Sequence, residues 1–174
     1  MNIVFTGFMG TGKSAVGSIV AGKLGRMFFD TDTMIEDSTG QTINEIFQNL
    51  GEAAFRALES ETVELVSDMD DVVISCGGGA VMDPQNIKRL RKNGIIINLF
   101  ASPEHLLGRL SETDNRPLIK RMLDPLGEIK KMLESRKEAY KNCDFAFNTE
   151  GLTPEQSAAE ILNDADVKKL LNIT

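Results

Sequence analysis

The octapeptide GFMGTGKS, Gly7 to Ser14, satisfies the pattern G-x-x-x-x-G-K-[ST] in full. Glycines at this spacing let successive backbone N–H groups curl around phosphate oxygens. Lys13 is then placed to reach the β and γ phosphates of a nucleoside triphosphate, and the Ser14 hydroxyl to ligate Mg²⁺. The context fits as well. An apolar run, NIVFT over 2–6, precedes the loop, and Val16, Val20 and Leu24 recur behind it at helical spacing. A helix start at this point adds its positive end to the phosphate cradle.

A loop of this kind normally works with an acid at the end of a second strand, which helps to hold the metal. The apolar run VVIS (72–75) ends in Ser75 and Cys76, so that acid is missing there. Asp30 and Asp32, at the end of the short run MFF (27–29), are the acids left for the duty, because ligands of open α/β sheets collect at the carboxyl ends of strands. In an extended chain the two carboxylates share one side, roughly 6 to 7 Å apart. The alternative is that they cap the helix that follows.

Other residues are less decisive. Arg136 interrupts the apolar row Ile129, Leu133, Tyr140; a guanidinium on a core-facing row needs an anion, either a protein carboxylate or a ligand carboxylate or phosphate. Arg56 and Glu59 read as an exposed i,i+3 pair. Three consecutive glycines, Gly77 to Gly79, directly after a strand are costly in backbone entropy and imply close approach of a ligand to the main chain. Phe47 and Phe55 fall on helical core faces, and His105 is assigned no chemistry. Cys76 and Cys143 lack partners at metal-ligand spacing and read as free buried thiols.

The elements that must position these residues follow from periodicity. Helical patterns occur near 34–38 and 43–50, separated at Thr39-Gly40, and a long amphipathic helix over 52–69 carries the stripe Phe55, Leu58, Thr62, Leu65, Met69. Asp83-Pro84 opens a helix to about Asn93, IIINLF (95–100) is a strand, and Ser102-Pro103 opens another helix. Residues 112–123, with mixed charge and a central proline, read as a mobile loop. A helix over 126–140, a strand over 144–148 and a last helix from Thr153-Pro154 to about residue 165 complete the chain. Strands separated by helices imply an α/β fold, a parallel sheet of about five strands with helices on both faces.

At 174 residues, 41% hydrophobic and 26% charged, the chain suits one soluble domain over 1–174 with a single core. Its formal charge of −7 disfavours nucleic acid or a membrane surface as partner. With neither a basic leader nor a long apolar segment at the start, a cytoplasmic location is expected.

Taken together, the motifs resemble the shikimate kinase family, within the nucleoside monophosphate kinase-like P-loop enzymes. The likeness rests on GFMGTGKS, on Asp-Thr-Asp at 30–32, on Phe55, Arg56 and Glu59, on Gly77 to Gly79, on Arg116-Pro117-Leu118, and on Arg136 with Tyr140. It implies a three-layer P-loop kinase fold with a substrate-binding segment at about 33–61 and a lid at about 112–123. It implies ATP-dependent phosphorylation of the 3-hydroxyl of shikimate to shikimate 3-phosphate, on the route to chorismate and the aromatic amino acids. By the same likeness, Lys13, Asp32 and Arg116 are catalytic, and Gly10, Thr11, Gly12, Lys13, Ser14, Ala15, Arg109 and Arg116 bind ATP. Asp32, Arg56, Gly78, Gly79 and Arg136 bind shikimate, with Phe47 and Phe55 walling its ring, while Ser14 and Asp30 hold Mg²⁺. A monomer acting on a small molecule is expected.

Overall fold

The computed structural model describes residues 1–112 and 123–172. The expected lid, with Arg116, lies outside the described residues apart from its flanks. Among those described, five strands form one parallel sheet: β1 (Asn2–Gly7), β2 (Phe28–Asp30), β3 (Val73–Ser75), β4 (Gly94–Phe100) and β5 (Phe145–Asn148), in the order β2-β3-β1-β4-β5. The first strand is central, with Ile3 to Phe5 beside Val73 to Ser75 and Asn2 to Gly7 beside Gly94 to Leu99. Every residue of β1 is buried, so the strand reads as a continuous apolar run instead of an alternating one.

Helices cover both faces. On one, α1 (Lys13–Leu24) packs with α8 (Pro154–Asn163) and α9 (Ala165–Leu171) against Ile3, Phe5, Ile97 and Leu99. On the other, α4 (Gly51–Ser67), α5 (Pro84–Lys92), α6 (Pro103–Glu112) and α7 (Pro125–Lys141) enclose Val4, Ile74 and Ile96. Two further helices, α2 (Thr31–Thr39) and α3 (Ile43–Asn49), form a small satellite core with α4 through Ile35, Ile46 and Phe55. Capping follows local sequence closely. Thr42 with Glu45, and Thr153 with Gln156, form reciprocal capping boxes, and glycines at 25 and 40 end α1 and α2 in the left-handed conformation.

Some expectations are corrected. The chain does not stay extended from Asp30 to Asp32; it turns into α2 at Thr31, because Asp30 accepts hydrogen bonds from the N–H groups of Asp32 and Thr33 at 3.1 and 3.3 Å. The buried row of α4 is Phe55, Glu59, Val63, Val66, whereas Leu65 is 58% exposed. The helix face is thus rotated from the stripe read from the sequence, since Leu58 packs on the satellite core and the sheet-facing positions lie one residue on. The last helix stops at Asn163; Asp164 caps a separate helix, α9, through the N–H groups of Asp166 and Val167. Of the two free cysteines Cys76 is buried and Cys143 only half-buried. No helix among the described residues is long and apolar enough to cross a membrane.

Gly7 ends β1 at φ +135°, and a Cβ there would collide with the Leu99 carbonyl oxygen on β4. Gly7→Ala is therefore expected to lower stability by about 2 to 4 kcal/mol, from a strained backbone together with a clash against main chain. Urea denaturation followed by circular dichroism measures it.

Candidate active site

Sheet order decides where the chemistry gathers. The chain runs from the central β1 outward to β2 by way of α1, and the carboxyl ends of β1, β2 and β3 open into one cleft. That cleft has a volume of about 500 Å³ and is bordered by Gly10, Gly12, Lys13, Ser14, Ala15, Asp30, Asp32, Phe47, Phe55, Arg56, Glu59, Ser75 to Gly79, Arg109 and Arg136. Most residues singled out from the sequence thus meet at one place.

The loop before α1 is built by Gly10 and Gly12 at φ +83° and +91°, values that side-chain-bearing residues avoid. No side chain caps α1 at Gly12, so its first-turn N–H groups are turned to the cleft as an anion site. Thr11 is buried and its hydroxyl donates to the Phe8 carbonyl at 2.8 Å; Lys13 Nζ donates to the same carbonyl at 2.9 Å. The lysine lies across its own loop, at 9% exposure.

Ser14 Oγ donates to Asp30 Oδ2 at 2.6 Å and lies 3.4 Å from Ser75 Oγ. Asp30 therefore has two tasks at once, one oxygen capping α2 and the other reaching Ser14. Ser75 occupies the place at the end of β3 where an acid was missed. The convergence of hydroxyl and carboxylate oxygens is the hard donor set that Mg²⁺ takes, with few protein ligands and several waters. Among the described residues no cluster of three or more His, Cys, Asp or Glu side chains exists that would suit a fully protein-ligated metal.

The acceptor side is walled by α2, α3, α4 and α7. Phe47 and Phe55 meet at a centroid distance of 4.6 Å; Phe55 is buried, but Phe47 is 37% exposed on the cleft rim and is no core residue. Arg56 is no exposed surface pair either. Its Nη1 donates to Glu59 Oε2 at 2.6 Å and its Nη2 to Glu52 Oε1 at 3.3 Å, and the Glu59 side chain is only 2% exposed. Burial pushes the Glu59 carboxyl above the usual carboxylate range, against the pull of Arg56. Arg136 donates to the Gly78 carbonyl at 3.4 Å and stands over the Phe8 ring at 5.8 Å. Among the described residues it has no carboxylate at ion-pair distance, so its fork remains directed at the cleft. Tyr140 donates to the same carbonyl at 2.7 Å, and burial raises its phenol.

The glycine triplet has a different cause from the one expected. A Cβ at Gly77 would stand 2.5 Å from Asp32 Oδ1 and 2.9 Å from Glu59 Oε1, and a Cβ at Gly79 would run into the Arg56 guanidinium. Those two glycines make room first for the cleft's own charged side chains. Only Gly78, whose Cβ would meet nothing closer than 3.5 Å, is free of that demand.

Arg109 staples the phosphate loop to the chain after β5. It donates to the Gly10 carbonyl at 3.2 Å, to Thr149 Oγ1 and O at 3.2 and 2.7 Å, and to the Leu152 carbonyl at 3.2 Å. Thr149 Oγ1 in turn donates to the Thr11 carbonyl at 3.0 Å. Two cavities flank this staple, one of about 230 Å³ against Pro154 and one of about 680 Å³ reaching His105 and Glu150. Glu59, Thr149 and Tyr140 received no chemistry from sequence. For Glu59 a signal existed: it interrupts the apolar row Phe55, Val63, Val66 as Arg136 interrupts its own.

A larger groove, about 720 Å³, lies between β4, β5, α6 and α7. Three lysines border it, and each is paired with a glutamate: Lys130 with Glu104, Lys137 with Glu134, Lys141 with Glu138.

The shikimate kinase family model matches residues 9–166. Shikimate kinase of Caldicellulosiruptor bescii is 47% identical over 162 residues, 93% of this chain and 94% of that protein. The shikimate kinase of Thermodesulfovibrio yellowstonii is 46% identical over 163 residues, 94% of each. Among solved structures, shikimate kinase from Acinetobacter baumannii in complex with shikimate superposes with a TM-score of 0.88 at 32% identity, covering 98% of this chain and 93% of that one.

Proposed function

The chain belongs to the shikimate kinase family and phosphorylates shikimate at the expense of ATP in aromatic amino acid biosynthesis, and we infer that the cleft described above carries out that transfer with the following division of labour. The loop from Gly10 to Ala15, with Lys13, holds the triphosphate, and Arg109 and the cavities beside it take the base end. Arg56 and Arg136, from opposite walls, clamp the shikimate carboxylate, while Asp32 and the Gly78-Gly79 backbone take its hydroxyls. Phe47 and Phe55 flank the ring.

The observation that carries this assignment is the placement of two guanidinium groups and one acid beside a phosphate loop, at the edge of a cleft of about 500 Å³. A small polyhydroxylated carboxylate satisfies all three, with its anionic end on the arginines through fork geometry and a hydroxyl on Asp32. Asp32 accepts a hydrogen bond from the attacking 3-hydroxyl and then its proton. Lys13 follows the charge on the transferred group, and most of the acceleration comes from positioning and electrostatic stabilisation. Ser14 and Asp30 are the residues that would hold Mg²⁺, which when bound supplies charge neutralisation to the phosphates. Arg116, outside the described residues, is assigned to the lid over 112–123 that closes on the phosphates, and 33–61 to acceptor binding. The same reading takes the chain as a cytoplasmic monomer, its formal charge of −7 disfavouring nucleic acid or a membrane surface as partner.

Assay of ADP release with Mg·ATP against shikimate, quinate, gluconate, AMP and CMP tests the reading. Turnover confined to shikimate is expected. Turnover with a nucleotide alone would overturn the acceptor assignment.

Asp30→Asn separates the metal role from the capping role, because Asn caps a helix nearly as well as Asp. The α2 N-terminus should survive while the anionic oxygen facing Ser14 is lost. The Mg²⁺ concentration for half-maximal turnover is expected to rise roughly 10- to 100-fold, with turnover largely recovered at saturating metal, as a Mg²⁺ titration would read.

A further inference from the structure

The peptide that joins Gly78 to Gly79 has a glycine on each side, the least restrained setting a peptide plane can have. Both residues border the acceptor side of the cleft. If this backbone is to hold a hydroxyl, something must stop the plane from turning, and neither glycine has a side chain to do it. The restraint comes from α7. Tyr140 Oη donates to the Gly78 carbonyl at 2.7 Å, and Arg136 Nη1 donates to the same oxygen at 3.4 Å. Tyr140 is buried, and burial raises its phenol, so the hydroxyl keeps its proton and stays a donor near neutral pH.

The other end of the same peptide is left open. Peptide bonds among the described residues are trans, and in a trans peptide the N–H points away from the C=O. With the carbonyl turned to α7, the Gly79 N–H is turned from it. Gly79 is buried, yet its N–H, like that of Gly78, has no acceptor among the described residues. An open N–H in a buried residue is rare and calls for a ligand atom. A Cβ at Gly78 would stand 3.5 Å from the Gly7 carbonyl oxygen and the Met9 nitrogen, so the pinned peptide also rests against the backbone of the phosphate loop.

The two donors to the Gly78 carbonyl are unequal. At 2.7 Å Tyr140 makes the short bond, whereas the 3.4 Å contact of Arg136 is weak. Arg136 can therefore leave the carbonyl for an incoming carboxylate without stranding a buried oxygen. We propose that Tyr140 is a positioning residue of the acceptor site: by holding the Gly78 carbonyl it fixes the Gly79 N–H as a donor to an acceptor hydroxyl and leaves the Arg136 fork free for the acceptor carboxylate. The proposal rests on the acceptor assignment made above.

Tyr140→Phe removes one oxygen and keeps the ring within its core cluster beside Phe8. Arg136 then becomes the remaining donor to the Gly78 carbonyl among the described residues, and seating a carboxylate on it strands that oxygen. The KM for shikimate is expected to rise roughly 5- to 50-fold, the range for a buried carbonyl that loses its donor, with the KM for Mg·ATP unchanged. A purely structural role would move both constants together. In carbonyl-labelled protein the Gly78 ¹³C resonance should move upfield in the variant, as expected for a lost hydrogen bond. Combined with Arg136→Leu, the two effects on the shikimate KM should be less than multiplicative, because one acts partly through the other. The wild-type chain gives a readout that needs no variant: its Gly79 amide proton should move downfield when shikimate is added. Equal rises in both KM values, an unchanged shikimate KM in Tyr140→Phe, or a Gly79 amide that ignores bound shikimate would overturn the proposal. Failure of the wild-type chain to bind shikimate at all would instead sink the acceptor assignment.

Discussion

Asp32→Asn is expected to lower turnover by roughly 10² to 10⁴, the range for loss of a positioned general base. The substitution is nearly isosteric, and shape matters at this position. Asp32 stands in the first turn of α2 with its Oδ1 beside the Gly77 backbone and Glu59 Oε1. An Asn amide fits the same volume, so the fold and α2 should be kept. Removing the negative charge also relieves Glu59 of a like neighbour. A thermal melt at or above that of the parent, combined with a collapse in kcat at saturating shikimate and Mg·ATP, is the expected pair of results. Near-parental kcat would remove Asp32 from the base role.

The second large effect concerns Arg136. Arg136→Leu should raise the KM for shikimate by roughly 30- to 700-fold, corresponding to about 2 to 4 kcal/mol for a charge-assisted bidentate contact in a partly dry site. The KM for ATP should change by no more than a few fold. The contacts the guanidinium makes inside the protein are modest: a 3.4 Å hydrogen bond to the Gly78 carbonyl and a position over the Phe8 ring. Tyr140 holds the same carbonyl at 2.7 Å, so Gly78 keeps a donor in the variant. Loss of fold is therefore not expected, and steady-state kinetics on both substrates reads the specificity of the effect. Equal rises in both KM values would move Arg136 from the acceptor to the phosphates.

Periodicity served well where one force dominates. The phosphate loop, the bounds of α1 and the largely buried β4 could be read in advance, since a chain that must bury both strand faces and start a helix on glycines leaves a one-dimensional record. It served poorly on α4, where two cores compete. Leu58 answers to the satellite core and Val63 and Val66 to the sheet, and a single stripe drawn through the helix merged the two. A merged stripe turns Glu59 outward and makes its contact with Arg56 look like a surface pair.

The pair Asp30 and Asp32 shows the same boundary between local and tertiary information. Their spacing at the end of a strand announced an acidic site, and composition with the loop Gly7 to Ser14 announced phosphate chemistry. The family likeness assigns Asp30 to the metal and Asp32 to the acceptor, whereas spacing alone leaves the two acids equivalent, because their difference depends on where the chain leaves the extended state. That point is set by Asp30 binding the N–H groups of α2 while its second oxygen meets Ser14, 16 residues away along the chain. Likewise the triple glycine implies close approach of a ligand to the main chain, but the packed structure shows that Arg56, Asp32 and Glu59 crowd Gly77 and Gly79. Sequence by itself determined the phosphate-binding chemistry, the parallel α/β plan and the family, since each is recorded in short motifs and repeat spacing. The tertiary structure alone decided the burial of Glu59 and the double use of Asp30. Those depend on which distant side chains share a space from which water is excluded.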